Sequence, residues 1–328
     1  MFSNLRSLIF KLDPETAHNL AINSLKFNFV PKMIYEDKNN PLFKSVLFNK
    51  DLDNPVGMAA GFDKNAEVYN SLFKLGFGFV EVGTITPLEQ YGNPKPRVFR
   101  LVEDEALINR LGFNNLGAKN VIGRIKSNIP AGLLGINIGP NKDTKDRLGD
   151  YIECFKIFHD VASYITINIS SPNTENLRDF HDQNKLDELL QALDNEKKKL
   201  NSKTPVVVKV SPDIYDKEIS KICEVLLSNN VEAVIISNTS DSLREKLTNI
   251  QSHQKGGLSG KPIEEISSKM INKFFKILKG RRKIIGVGGV DSGKSAYEKF
   301  LAGANYVQLY TGMVFRGPNI VNLIKKEL

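Results

Sequence analysis

Residues 164–174 read Y-I-T-I-N-I-S-S-P-N-T, a short strand that ends in a cluster of polar side chains. Ile165, Ile167 and Ile169 alternate with polar residues, which is the period of two that β-strands show. Pro172 ends the strand because proline cannot donate a hydrogen bond to a sheet. The uncharged polar residues at this end suit either a capped turn or a binding site for a flat, polar ligand.

Segments of this kind occur eight times, and helical segments separate them. The predicted strands are Val56–Ala60, Phe79–Gly83, Leu133–Ile138, Ile165–Ser170, Pro205–Val210, Ala233–Asn238, Lys283–Val287 and Tyr306–Tyr310. The predicted helices include Ala66–Leu75, Asn115–Lys126, Asp150–Ala162, Leu186–Leu200, Lys217–Leu227, Ile263–Leu278 and Lys294–Ala302. Apolar strands that alternate with helices predict an α/β fold with a parallel sheet covered on both faces. Eight such units favour a TIM (β/α)8 barrel over an open, doubly wound sheet.

The composition is that of a globular protein that folds in water. The 328 residues are 41% hydrophobic and 25% charged, and no apolar run reaches the roughly 18 residues of a membrane span. The net charge is +8, but lysine and arginine are spread along the chain, which argues against a nucleic-acid partner. The four scattered histidines and two isolated cysteines predict no metal site.

The first 40 residues predict a helical segment distinct from the barrel at 41–328. Apolar residues from Leu5 to Leu12 lie at helical spacing on one face. Asp13 then caps a second helix, which has proline at its first position. This amphipathic pair suits either packing against the barrel or binding to a membrane surface.

The ends of the predicted strands carry the residues that suit ligand binding. In a TIM barrel, these C-terminal ends form the active site, and here they are small, polar or cationic. Lys209 lies inside V-V-V-K-V-S, so its ammonium either needs an anionic partner or extends to solvent. Residues 86–112 predict a β-hairpin inserted at this face, and residues 175–184 predict a mobile lid.

Residues 288–295 read G-G-V-D-S-G-K-S and match the P-loop pattern of nucleotide-hydrolysing enzymes. Too little chain follows the motif to build the rest of such a fold, and no later strand ends in a magnesium-binding aspartate. Glycine amides at a helix N-terminus still favour phosphate. The loop therefore predicts a phosphorylated cofactor.

Eight motifs in chain order resemble those of the class 2, quinone-dependent dihydroorotate dehydrogenases, and together they span nearly the whole chain. They are M-A-A-G-F-D-K (58–64), G-F-G-F-V-E-V-G-T (76–84), K-P-R-V-F-R-L (95–101), I-N-R-L-G-F-N-N-L-G (108–117), G-I-N-I-G (135–139), I-N-I-S-S-P-N-T (167–174), G-G-L-S-G-K-P (256–262) and G-V-G-G-V-D-S-G (286–293). The resemblance implies an FMN enzyme of pyrimidine (UMP) synthesis that oxidises dihydroorotate to orotate and passes the electrons to a membrane quinone. It also implies a monomeric, peripheral protein on the cytoplasmic face of the bacterial cell membrane, attached through the N-terminal helices.

The same resemblance assigns roles to individual residues. Ser171 is the base that removes the substrate proton, where the soluble classes carry cysteine, and we hypothesise that Thr174 relays that proton. The implied substrate residues are Lys64, Asn109, Arg110, Leu111, Gly112, Phe113, Asn168, Asn173, Asn238 and Thr239. The implied FMN residues are Ala60, Gly61, Phe62, Asp63, Lys64, Thr84, Asn137, Asn168, Lys209, Ser237, Gly260, Gly289, Tyr310 and Thr311. The implied quinone residues are His18, Arg100 and Tyr310.

Two other functions compete with this interpretation. A tRNA-dihydrouridine synthase would suit the basic charge, but it should carry a catalytic cysteine in a barrel loop and a helical RNA-binding domain after the barrel. Cys154 and Cys223 fall in predicted helices instead. A non-enzymatic peripheral membrane protein would not explain polar residues at the ends of all eight strands.

Overall fold

The computed structural model describes residues 2–27, 40–174 and 176–328. The strands are β1 (Ser45–Leu47), β2 (Lys50–Leu52), β3 (Val56–Met58), β4 (Phe79–Ile85), β5 (Val98–Leu101), β6 (Ala106–Asn109), β7 (Leu133–Ile138), β8 (Tyr164–Asn168), β9 (Val206–Val210), β10 (Ala233–Ile236), β11 (Gly257–Gly260), β12 (Lys283–Val287) and β13 (Tyr306–Leu309). The helices are α1 (Phe2–Ile9), α2 (Pro14–Lys26), α3 (Tyr69–Lys74), α4 (Gly117–Ser127), α5 (Arg147–Phe158), α6 (Gln183–Lys199), α7 (Asp216–Ser228), α8 (Glu264–Leu278), α9 (Gly293–Leu301), α10 (Thr311–Arg316) and α11 (Ile320–Glu327).

Strands β3, β4, β7, β8, β9, β10, β12 and β13 close into a barrel in that order, and each pairs in parallel with its neighbours. The predicted TIM barrel is therefore confirmed, and the open doubly wound sheet is wrong. Every residue of β4, β7, β8 and β9 is buried, as expected for strands covered by side chains inside the barrel and by helices outside it.

Helix α6 illustrates how the outer layer forms. Leu186, Leu189, Leu190 and Leu193 are buried and recur at the spacing of one helical face. The side chain of Asp182 accepts hydrogen bonds from the amides of the first turn and so caps the helix. Burial of the leucine face against the strands then holds the helix on the barrel.

The N-terminal end of the barrel is covered by the β1–β2 hairpin, which the sequence patterns do not predict. Leu47 and Leu52 are buried there against apolar side chains from the barrel interior. The turn consists of Phe48 and Asn49, both with positive φ (50° and 60°). A two-residue turn with positive φ usually contains asparagine and glycine. Because phenylalanine takes the first position here, the sequence lacks the pattern that would predict a hairpin.

The predicted hairpin insertion is confirmed as β5 and β6, and a third strand enlarges it. Strand β11 pairs antiparallel with β6 to form a three-stranded sheet over the C-terminal face. Its sequence, G-L-S-G, contains two glycines and one apolar side chain, which conceals the strand because glycine is rare in strands. Arg97, just before β5, makes an ion pair of 2.6 Å with Glu15 of α2, so the sheet contacts the terminal helices.

The predicted second terminal helix and its cap are confirmed, since Asp13 accepts hydrogen bonds from the amides of Glu15 and Thr16. The end of the predicted terminal segment, residues 28–39, lies outside the described residues. The predicted lid at 175–184 contains a 3-10 helix, Leu177–His181, with Leu177 buried. Its first residue, Glu175, lies outside the described residues, and the mobility of the lid stays a prediction.

The barrel interior should not tolerate a side chain at Gly135. A Cβ there would lie 2.1 Å from the Tyr164 ring, so Gly135→Ala should lower the free energy of unfolding by about 1–3 kcal/mol. At Gly123, inside α4, an added Cβ would meet no atom within 4 Å. Gly123→Ala should therefore stabilise the protein by up to about 1 kcal/mol. Urea unfolding measures both, and equal effects of the two variants would contradict the packing described.

Candidate active site

A cavity opens at the C-terminal end of the barrel, beneath the three-stranded sheet. The empty space within it, including the part open to solvent, is about 1170 Å³. The predicted residues that line it are Ala60, Gly61, Lys64, Thr84, Asn109, Leu111, Gly112, Phe113, Asn168, Ser171, Asn173, Lys209, Ser237, Asn238, Thr239, Gly260, Gly289, Tyr310 and Thr311.

The structure also adds lining residues to which the motifs assign no role. Most are small or apolar, and they lie beside predicted residues on the same strand ends or on the added sheet. They are Ala59, Gly83, Val98, Leu107, Asn114, Ser259, Ile263, Val287, Gly288, Val290, Leu309 and Gly312. Apolar residues of this kind give no chemical signal in a sequence, because they look like ordinary core residues.

Asp63 does not line the cavity, and its carboxylate holds the loop that carries Lys64. It accepts hydrogen bonds of 2.8 and 2.7 Å from the amides of Glu67 and Val68. Complete burial raises the pKa of Asp63, while these two amides oppose that rise. The side chain therefore fixes the backbone next to the cavity and does not reach into it.

Arg110 also points away from the cavity, although its backbone lies in a loop that lines it. The guanidinium donates to Gln254 Oε1 at 3.0 Å and to the carbonyls of Lys255 and Pro96 at 3.1 and 3.0 Å. It stacks over the ring of Phe99. These contacts hold the inserted sheet against the segment that precedes β11.

Asn137 lies one layer below the cavity, in a chain of hydrogen bonds between buried side chains. Its Nδ2 donates to Glu81 Oε1 at 2.8 Å. Its Oδ1 accepts from the Thr84 hydroxyl at 2.6 Å and from Asn168 Nδ2 at 3.1 Å. Asn168 Oδ1 in turn accepts from the Ser170 hydroxyl at 2.8 Å. The chain runs from the barrel interior to the residue before Ser171.

Glu81 is the origin of this chain, and no sequence motif assigns it a role. Its Oε2 accepts from the hydroxyls of Tyr164 and Thr166 at 2.9 and 3.1 Å and from Gln308 Nε2 at 3.2 Å. The available signal is an acidic residue inside a buried strand, V-E-V, which mirrors the lysine of V-K-V in β9. A buried carboxylate needs several donors, and three strands supply them here.

Lys209 is 5% exposed, so the alternative in which it extends to solvent is wrong. Burial lowers the pKa of Lys209, and the charge of Glu81 opposes that effect. Among the described residues, the ammonium donates to no protein acceptor within hydrogen-bond distance. Glu81 therefore supplies part of the negative charge predicted for Lys209. The N–H donors of the Lys209 ammonium face the cavity.

Ser171 lies just after β8 and is buried beside the cavity. The amide of Asn173 donates to its hydroxyl oxygen at 3.2 Å, which fixes the tight turn after the strand. Asn173 Nδ2 also donates to Asn109 Oδ1 at 3.4 Å, across to the inserted sheet. Thr174 is buried in the same turn but does not line the cavity.

Lys64 supplies a positive charge to the lining of the cavity. Its Nζ donates to the Gly61 carbonyl at 2.8 Å. Burial lowers the pKa of Lys64 to about 8, against the opposing charge of Glu15. An anionic group bound in the cavity would favour the charged form again.

His18 of α2 joins an aromatic cluster with Phe62 and Tyr310. The His18 ring centroid lies 5.3 Å from that of Phe62 and 6.5 Å from that of Tyr310. Burial, together with the charge of Lys64, lowers the pKa of His18 to about 3. His18 is therefore neutral at physiological pH, and through Tyr310 the cluster reaches the cavity.

Arg100 of β5 lies against α1 and the turn that follows it. Its guanidinium carbon lies 4.3 Å from the Phe10 ring centroid, and Nη1 donates to the Phe10 carbonyl at 3.1 Å. Its Nε is buried without a partner among the described groups, and burial lowers the pKa of Arg100. The structure thus places His18 where α2 meets the barrel and Arg100 where the turn after α1 meets the inserted sheet.

The P-loop-like segment divides between two tasks. Gly288, Gly289 and Val290 line the cavity, and Gly289 has a φ of 76° with a Cβ position only 2.4 Å from Glu264 Cβ. The later residues build α9: Ser292 caps it, and the Gly293 amide donates to Glu327 Oε2 at 2.6 Å. Only the first part of the motif can therefore serve a phosphate in the cavity.

Two further properties hold across residues 2–27, 40–174 and 176–328. No group of histidine, cysteine, aspartate and glutamate side chains there is arranged to hold a metal ion. No helix in those ranges has the length and apolar character needed to cross a membrane.

Comparison with known proteins gives a consistent result. A family model described as dihydroorotate dehydrogenase matches residues 42–328. The chain is 46% identical over 316 residues to the dihydroorotate dehydrogenase (quinone) of Rhizobium rhizogenes, covering 95% of this chain and 87% of that one. It is 42% identical over 335 residues to the protein of the same name from Idiomarina loihiensis, covering 100% of both. The ligand-free crystal structure of DHODH from Eimeria tenella is 37% identical, with a TM-score of 0.92 over 96% of this chain and 94% of that chain.

The neutral state of His18 predicts a dependence of stability on acid. Its pKa is about 3 when folded against an ordinary value of 6.5, so the unfolded chain binds the extra proton between these values. The contribution of His18 to stability is complete above pH 6.5 and falls as the pH drops toward 3. His18→Gln should lose less free energy of unfolding between pH 7 and about pH 4.5 than the wild type. His253→Gln, at an exposed position, should retain the wild-type slope, and equal slopes in all three proteins would contradict the burial of His18.

Proposed function

Since this chain belongs to the dihydroorotate dehydrogenase family, we propose that it oxidises dihydroorotate to orotate, a step of pyrimidine synthesis, with FMN as cofactor and a quinone as electron acceptor. One observation carries the proposal. A buried serine, three asparagines and a lysine converge on one cavity, and they are Ser171, Asn109, Asn173, Asn238 and Lys64.

The cavity suits FMN in the chemistry of its donors. The ammonium of Lys209 faces the cavity with donors to spare, which suits an anionic flavin ring. Thr84 and Asn168 would hold the same ring, and the small residues Gly260, Gly289 and Thr311 would leave backbone amides accessible to the phosphate. FMN, when bound, supplies the N5 atom that accepts the hydride leaving C6 of dihydroorotate.

The asparagines suit the substrate because dihydroorotate is a ring of alternating carbonyls and N–H groups. Asn109, Asn173 and Asn238 each offer a donor and an acceptor on one amide. Lys64 would pair with the substrate carboxylate, and this pairing would keep the lysine charged. The positioned amides would also hold the reacting carbon in line with the base.

Ser171 would take the C5 proton onto its hydroxyl oxygen. A serine hydroxyl is a weak base at its ordinary pKa, so it must pass its own proton onward as it accepts the new one. Thr174 lies in the same buried turn, and we propose that it carries this proton outward with the help of a water molecule.

The terminal helices would supply the route for the quinone. Leu5, Leu8 and Leu20 are at least half exposed on α1 and α2, which suits contact with lipid. His18 and Arg100 would lie along the path from this surface to Tyr310 at the cavity. We propose accordingly that residues 1–40 form a quinone- and membrane-binding segment, that residues 41–328 form the catalytic barrel, and that the protein works as a monomer on the cytoplasmic membrane face.

The alternative of a tRNA-dihydrouridine synthase lacks its catalytic cysteine. Cys154 and Cys223 are buried in α5 and α7. Burial raises the pKa of Cys223 to about 12 and raises that of Cys154 well above the usual thiol value. Neither thiol is placed to protonate a substrate in the cavity.

The proposed reaction is tested by adding dihydroorotate to the purified, FMN-containing protein without oxygen. Flavin absorbance should bleach within one turnover. Ser171→Ala should keep its FMN but bleach about 10²- to 10⁴-fold more slowly, because it lacks the base. Wild-type protein that binds FMN yet is not bleached would overturn the function. Thr174→Val should also bleach more slowly, and an unchanged rate would contradict the relay alone.

The membrane role is tested with Leu8, which is 63% exposed on α1. Leu8→Glu should bind phosphatidylcholine vesicles about 10- to 100-fold more weakly, since burial of one leucine contributes about 1.5–3 kcal/mol. Turnover with a long-chain quinone in those vesicles should fall with it, while bleaching by dihydroorotate stays unchanged. Ile129→Glu, at an 81% exposed position elsewhere, is the matched control. Equal losses in both variants would refute a role of α1 in membrane binding.

A further inference from the structure

Arg178 lies in the 3-10 helix that follows β8, and its guanidinium reaches acceptors on three different loops. Nε donates to the Ser170 carbonyl at 3.3 Å. Nη2 donates to Asp213 Oδ2, and Nη1 donates to Asp241 Oδ2, each at 3.0 Å. Ser170, Asp213 and Asp241 follow β8, β9 and β10, which are consecutive strands of the barrel. A single side chain therefore joins three neighbouring loops at the rim of the cavity.

Asp213 is the fixed point of this group. Its carboxylate accepts from the hydroxyls of Ser240 and Ser242 at 2.5 and 3.0 Å and from the Asp241 amide at 3.1 Å. Burial opposes the charge, but these hydrogen bonds and Arg178 keep the pKa of Asp213 below its usual range. These contacts hold the loop after β10 against the loop after β9 independently of Arg178.

Ser170 is held from two sides. Its carbonyl accepts from Arg178, while its hydroxyl donates to Asn168 and accepts from Asn238 Nδ2 at 2.8 Å. The next residue along the chain is Ser171, so the Ser170 carbonyl belongs to the peptide group that sets the direction of Ser171. The orientation of this peptide group thus depends on the guanidinium.

We propose that Arg178 is a positioning residue that aims Ser171 by fixing the Ser170–Ser171 peptide against the loops that follow β9 and β10. The proposal rests on the proposed function, because Ser171 is the base there. Arg178 does not line the cavity, so it acts through its neighbours and not on the substrate. Its planar fork is essential, since each acceptor binds a different guanidinium nitrogen, whereas the three N–H donors of a lysine all lie on one nitrogen.

The first experiment follows amide hydrogen exchange in the FMN-containing protein without substrate. The amides of Ser170 and Asn173 donate to the side chains of Asn168 and Ser171, so they report on this turn directly. Arg178→Met should exchange them at least about 10-fold faster than the wild type. Lys185→Met removes an exposed ion pair with Asp179 in the adjoining segment and should leave both amides unchanged. Unchanged exchange in Arg178→Met would overturn the proposal.

The second experiment separates the two half-reactions. Bleaching by dihydroorotate should slow about 10- to 100-fold in Arg178→Met, because a small misplacement of a reacting group has effects of that size. Reoxidation by a soluble quinone should stay at the wild-type rate, and so should FMN content. A loss that affects both half-reactions equally would indicate general damage to the fold and would count against positioning.

Two variants distinguish geometry from charge. Arg178→Lys keeps the charge and should remain slow in bleaching, whereas full recovery would show that charge alone matters and would overturn the proposal. Asp213→Asn should slow bleaching too, and its combination with Arg178→Met should add little, since both break the same contact. If the wild type itself is not bleached, the proposed function fails, while the exchange experiment still tests the role of Arg178.

Discussion

A carboxylate buried in the middle of the barrel, Glu81, organises the polar residues beneath the cavity. An ionised group in such a place is unfavourable unless donors and an opposite charge surround it. The donors come from Asn137 of β7, from Tyr164 and Thr166 of β8 and from Gln308 of β13, and the positive charge comes from β9. With Glu81 itself on β4, five of the eight strands converge on one side chain. The relative register of these five strands therefore depends on the hydrogen bonds and the opposite charge that they supply to Glu81.

This arrangement distinguishes the base of the cavity, formed by Asn137 and Asn168, from its side, where the turn after β8 carries Ser171. At the base of the cavity, the side-chain amides of Asn137 and Asn168 each have a single orientation. Their oxygen and nitrogen atoms already have hydrogen-bond partners in the network that begins at Glu81. At the side of the cavity, Ser171 lies on the turn after β8, and the direction of its side chain depends on contacts between loops. A fixed base suits a cofactor that stays bound through both half-reactions. A side formed by loops suits a substrate that enters and leaves in each turnover.

A pattern of short, mostly apolar or β-branched segments, each followed by a small or polar residue, predicts all eight barrel strands. It does not predict β1 and β2, whose turn contains a phenylalanine at positive φ, or β11, which consists largely of small residues. The motifs predict most of the cavity lining. They do not distinguish Lys64, which lines the cavity, from its neighbour Asp63, which turns away to bind backbone amides. The amides that hold Asp63 are only four and five residues ahead in the chain, but the motifs do not show which side chains the folded loop directs toward the cavity.

The terminal helices meet the barrel through a boundary at which the charged groups are paired or covered. Glu15 is neutralised by Arg97, and Arg100 is covered by the ring of Phe10. His18 at the same boundary is kept neutral by its own burial and by the charge of Lys64. On the proposed route, an apolar acceptor that approaches from the exposed leucines would pass Arg100, held against Phe10, and the neutral ring of His18 before it reaches Tyr310. In the proposed function, by contrast, the anionic substrate would be held within the cavity by Lys64, so charge would sort the two reactants to different parts of the site.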